Sequence, residues 1–90
     1  MFSIVKERCG IPEGIKIYDD DIRTYLGDCL EDMKSSGVPE RFLAEKESNP
    51  QTITAATLYV KAYLEEDCTE TEKYLDLYRK KVFRLTMEDG

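Results

Sequence analysis

Ninety residues, 41% hydrophobic and 36% charged, suit one domain spanning residues 1–90, and a chain of this length buries only about 60 to 65% of its unfolded surface. The formal charge of −6 and pI near 4.6 argue against a phosphate-gripping role, because nucleic-acid affinity is built mainly from Lys and Arg. With no histidine in the chain, the usual neutral-pH acid/base and the commonest metal ligand are both missing.

The first element is a short helix over residues 3–9, with Ser3 as a candidate N-cap, stopped by Gly10 and Pro12. Charges at Lys6, Glu7 and Arg8 with no long apolar run after them argue against a secretory signal. Residues 11–18 read as a loop or as a brief extended segment, since Ile15 and Ile17 alternate with Lys16, too short to build a sheet and with its isoleucines expected to plug the end of the helical core.

A second helix is predicted over residues 20–35. Asp19, Asp20 and Asp21 crowd its start, where one can cap free amides and the others meet the favourable end of the helix dipole. Ile22, Tyr25, Leu26, Cys29, Leu30 and Met33 fall within about 140° of arc, at about 100° per residue. Gly27 interrupts this pattern and is expected to admit another backbone closely. Gly37 and Pro39 end the helix, with Gly37 in left-handed geometry.

Residues 40–46 should form one or two turns that dock Phe42 and Leu43 on the core. Asn49 then caps a third helix over residues 50–65, with Pro50 in its first position. Residues 50–64 carry a single charge, Lys61, so this helix is expected to be central and enclosed on more than one side. Its main face holds Ile53, Ala56, Thr57, Val60, Tyr63 and Leu64. Leu58 projects away from that face, and Ala55 and Ala62 leave the back open to a close neighbour.

The last helix follows the acidic turn 65–70, and Thr69 with Glu72 has the spacing of a capping box. Tyr74, Leu75, Leu77, Tyr78, Val82 and Leu85 form the expected core stripe, from which Phe83 and Met87 are displaced. The fold class is therefore all-α: a small antiparallel bundle of three main helices plus a short N-terminal one. No stretch approaches the length of apolar chain that crosses a bilayer.

Chemistry is sparse. The Asp19–Asp21 cluster reads as helix capping and solvation rather than a cation site. Three separated cysteines, Cys9, Cys29 and Cys68, make no complete disulfide framework and suit a reducing compartment. Cys29 belongs to the apolar stripe, and Cys68 is expected to be exposed, its thiol kept protonated by the acidic turn. No glycine-rich phosphate loop, CxxC pair or Cys–His pair is present, so neither enzyme activity, a cofactor nor a metal is expected.

What remains is surface. Arg79, Lys80 and Arg84 can serve as helix-end charges, or they can join Phe83 and Met87 in a face for another protein. The acidic residues Glu65, Glu66, Asp67 and Glu70 oppose that face in sign, which offers a head-to-tail contact between subunits.

Three segments carry a family likeness: Val5-Lys6-Glu7-Arg8-Cys9-Gly10-Ile11; Asp19-Asp20-Asp21-Ile22 leading to Ser36-Gly37-Val38-Pro39; and Ala56-Thr57-Leu58-Tyr59-Val60-Lys61-Ala62-Tyr63 before Tyr74-Leu75-Asp76-Leu77-Tyr78. Over residues 3–86 the chain resembles the small head–tail connector proteins of tailed bacteriophages and prophages, the Gp6-like or DNA-packaging adaptor family. The resemblance implies a mostly helical structural protein at the virion head–tail junction, made in the host cytoplasm. It implies a ring beneath the portal that meets a tail or head-completion protein and lets DNA through without gripping it. Neither catalysis nor a cofactor is implied. The competing reading is a small acidic helical regulator that binds another protein or mimics DNA.

Overall fold

The computed structural model describes residues 1–44, 49–64 and 68–87. Among the described residues five helices follow in order: α1 (Phe2–Arg8), α2 (Asp19–Ser35), α3 (Glu40–Ala44), α4 (Pro50–Leu64) and α5 (Cys68–Met87). Among the described residues there is no strand. The all-α expectation holds, with residues 40–44 of the expected 40–46 turns forming the distinct short helix α3 and the rest of that span outside the described residues.

Glycine ends both early helices in the same way. At Gly10, φ is +80°, the Gly10 amide donates to Glu7 O and the Ile11 amide to Lys6 O. At Gly37, φ is +97°, with Gly37 donating to Lys34 O and Val38 to Met33 O. These are paired Schellman bonds that satisfy carbonyls left without helical partners. Val38 and Met33 are both buried in the core, completing the apolar contact that accompanies the motif.

Starts are more varied. Asn49 Oδ1 accepts the amides of Gln51 (2.9 Å) and Thr52 (3.1 Å), as its position before Pro50 predicts. Ser3 makes no cap, because α1 begins one residue earlier, with Met1 at its N-cap position. None of the three aspartates caps α2, whose N-cap position is Tyr18. The Asp19 carboxylate is instead drawn to Lys6. Thr69 lies inside the first turn of α5. Thr71 Oγ1, two residues on, donates 3.0 Å to Ala62 O and ties the new helix to the previous one.

The core is α4 with α5, α2 and α1 packed around it. Thr71 meets Ala62, Tyr74 meets Lys61 and Tyr78 meets Tyr59, so α4 and α5 run in opposite directions. Ala55, Ala56, Val60 and Ala62 are all buried, the small side chains letting neighbours approach on several sides. Leu58, expected to point away, packs against the core cluster for that reason. Val5 of α1, Ile22, Leu26, Cys29 and Met33 of α2, and Tyr78, Val82 and Leu85 of α5 complete the interior.

Four expectations about burial need correction. Ile15 and Ile17 do not plug the core. They are 45% and 78% exposed, on a loop tightened by the bonds Ile15 N to Pro12 O and Asp19 N to Lys16 O, and Ile11 packs on the core in their place. A Cβ added at Gly27 would meet nothing within 4 Å, since its side of α2 faces solvent. Tyr63 is exposed; its ring stacks on Tyr25 at 5.4 Å, an amphipathic ring lying at the rim. Leu77 is exposed as well, because only Tyr78, Val82 and Leu85 of its stripe reach fully inside.

Candidate interaction surface

A groove of about 250 Å³ opens between the C-terminal end of α2 and the second half of α5, lined by Asp32, Ser36, Tyr78, Arg79, Val82, Phe83 and Thr86. Helical spacing explains its section. Tyr78, Val82 and Thr86 follow one i, i+4 row, and Arg79 with Phe83 forms the next row outward. The inner row is buried at Tyr78 and Val82, whereas Phe83 is 65% exposed and forms a lip.

The inner wall is fixed by a polar chain. The Cys29 thiol donates to the Tyr78 hydroxyl at 3.8 Å, and that hydroxyl donates to Asp32 Oδ2 at 2.7 Å. A buried tyrosine needs such a partner for its polar end. Burial, the neighbouring Cys29 and the bond to Asp32 all hold the Tyr78 hydroxyl above its ordinary range, so it stays protonated. Burial likewise pushes the Cys29 thiol up to about 12, which leaves it a core side chain and not a nucleophile. Tyr59 continues this ring contact outward, 5.0 Å from Tyr78 and 4.8 Å from Tyr63.

The predicted surface residues divide. Arg79 and Phe83 share the groove. Lys80, Arg84 and Met87 lie on the exposed flank of α5 beyond the lip, with Met87 the last residue of the helix. Lys80 pairs with Asp76 at 3.0 Å in an exposed i, i+4 bridge, a contact of small energetic weight. Glu70 is partly buried in the first turn of α5. Glu65, Glu66 and Asp67 lie outside the described residues, as does the environment of the Cys68 side chain.

Sequence reasoning missed Asp32, Thr86 and the loop isoleucines. Asp32 lies off the apolar stripe of α2, and its alignment with Tyr78, far along the chain, is tertiary. Thr86 spends its hydroxyl on Phe83 O at 2.6 Å. For the loop, a short apolar segment carries no mark of whether anything covers it.

A second hollow, about 600 Å³, lies beside α1 and is lined by residues that include Phe2, Lys6, Glu13, Asp19 and Arg23. Its central cation is already engaged: Lys6 Nζ donates 2.7 Å to Asp19 Oδ1 and 3.1 Å to Glu13 O. Hydrogen bonding to Lys6 is the main cause that holds the Asp19 carboxyl below its usual range. Arg23 stacks over Phe2 at 4.5 Å, closing α1 on α2. Among the described residues, no three Cys, Asp or Glu side chains gather as a metal site. No described helix is long and apolar enough to cross a membrane.

A protein-family model described as Phage connector protein matches residues 1–90. Comparisons with curated proteins and with solved structures found no match.

Proposed function

The chain belongs to the phage connector protein family, and from that membership we propose that it is an adaptor subunit of the Gp6-like kind at a phage head–tail junction. Proteins of this family are structural and not catalytic. In this reading, copies of the chain, each acting as one unit over residues 1–90, associate into a ring. The ring joins a portal to a tail or head-completion protein and leaves a passage for DNA.

The carrying observation is the family match along the entire sequence. Two properties of the chain support it. Its charge of −6 lets it surround a passing duplex without adhering to phosphate. Exposed Phe83 and Met87, with Arg79, Lys80 and Arg84 beside them on α5, give a face with apolar anchors and positive charge, the composition that protein interfaces favour over Lys-rich solvent faces. Glu65, Glu66, Asp67 and Glu70 supply the opposite sign for a neighbouring copy.

Electron microscopy of the chain mixed with its cognate portal tests this. Annular density coaxial with the portal is expected. A chain that leaves the portal bare, or that binds it as isolated monomers, overturns the reading.

A further inference from the structure

We propose that loop 11–18 of one copy seats in the α2–α5 groove of the next, a contact that deepens the ring reading above and rests on it. The loop presents Ile15, Ile17 and Tyr18 to solvent, with Ile17 the most exposed large apolar side chain described. In the groove the exposed apolar area is the ring of Phe83, with Tyr78 and Val82 behind it only 3% and 6% exposed. Each surface leaves apolar area in water that the other can cover.

Charge selects the occupant. Glu13 and Lys16 bracket the loop's apolar residues from one side and from within, while Arg79 and Asp32 stand on the groove's edges. Glu13 can meet Arg79, and Lys16 can meet Asp32, whose Oδ2 already accepts from Tyr78 and whose other oxygen has acceptor capacity left. Among the described residues Arg79 has no ion pair.

Geometry makes the contact intermolecular. The loop leads into the first residue of α2, Asp19, and the groove begins at Asp32 near its other end. Helix rise separates them by about 20 Å, at about 1.5 Å per residue, so no copy can fill its own groove. A donor and an acceptor at opposite ends of one rigid helix make a heterologous, head-to-tail contact, which generates a closed ring when its rotation closes.

The test places a photoreactive benzoylphenylalanine at position 17 in the full chain, mixes isotope-labelled and unlabelled copies, and irradiates them with and without the cognate portal. Crosslinks between copies, joining position 17 to residues 78–86, are expected. Arg79→Glu should lower their yield about fivefold, and Glu13→Arg in the same chain should restore it, since reversing one exposed partner turns attraction into repulsion. Crosslinks only to the portal, only elsewhere on the chain, or none at all overturn the proposal, as does a yield indifferent to Arg79→Glu. A ring on the portal with crosslinks elsewhere removes this contact and leaves the adaptor reading standing. The expected crosslinks in copies that never engage the portal do the reverse.

Discussion

Lys6 and Asp19 form an ion pair 2.7 Å long with side chains only 4% and 14% exposed, and it joins α1 to the first turn of α2. Lys6 also donates to Glu13 O, so one ammonium group ties together α1, the base of loop 11–18 and α2. The pair gives the exposed loop a rigid footing at the end of the bundle.

Acid sensitivity should follow from Asp19. Its folded carboxyl is held low, first by the hydrogen bond from Lys6, so the unfolded chain takes up the proton first as pH falls. The stabilisation is therefore fully present above the ordinary aspartate value of about 3.9 and is lost as pH drops through the lower folded value. Asp19→Asn should lower the urea midpoint at pH 7 and flatten its decline below pH 4. Urea titrations of both proteins from pH 2 to 7 check this; parallel curves would contradict it.

Two glycines should respond oppositely to alanine. Gly27 is inside α2 with open space where a Cβ would go, so Gly27→Ala should stabilise by about 0.5 to 1 kcal/mol through helix propensity and a less free unfolded chain. Gly37 holds φ +97°, a conformation that costs an L side chain roughly 1 kcal/mol or more. Thermal melts should separate the two variants, each kcal/mol moving Tm by about 4–8 °C in a domain of this size.

The contrast between these glycines marks how far the chain could be read from sequence. Gly37 was legible because its job is local: a left-handed residue between a periodic segment and Pro39. Gly10, Asn49 and Pro50 were legible for the same reason, and the near absence of charge in residues 50–64 announced the enclosed α4. Gly27 was misread because its neighbours are decided by tertiary packing. Ile15 and Ile17 failed likewise, since alternation in a short segment does not say whether a partner waits. On the surface, Phe83 could be placed off the core stripe by angle alone, whereas its companion Asp32 comes from a helix that only folding brings alongside.

Cys29 should be silent to thiol reagents until the protein opens. Its thiol is buried and pushed up to about 12 from an ordinary 9.0, chiefly by burial. At pH 8 a disulfide reagent should label it only after urea is added, as peptide mapping would show. In alkali the unfolded thiol ionises first, so stability should fall by up to about 1.4 kcal/mol per pH unit between roughly 9 and 12. Cys29→Ala should remove that component; labelling of the native protein at the rate of a free thiol would count against the buried assignment.

Phe83 and Leu85, two positions apart on α5, should separate assembly from folding. Leu85 is wholly buried and Phe83 is 65% exposed, so a charge at 85 has to be buried unpaired while a charge at 83 stays in water. Leu85→Asp should unfold the chain. Phe83→Asp should leave its circular dichroism and urea midpoint within about 0.5 kcal/mol of the parent. If the ring of Phe83 anchors a neighbouring copy, removing it should weaken self-association or portal-bound assembly by about 30-fold, the effect of losing roughly 2 kcal/mol at an aromatic hot spot. Light scattering across a concentration series, with and without the cognate portal, reads this directly. Assembly equal to the parent's would mean that the groove lip faces solvent in the finished structure, and unfolding of Phe83→Asp would mean that the exposed face of α5 is instead part of the core.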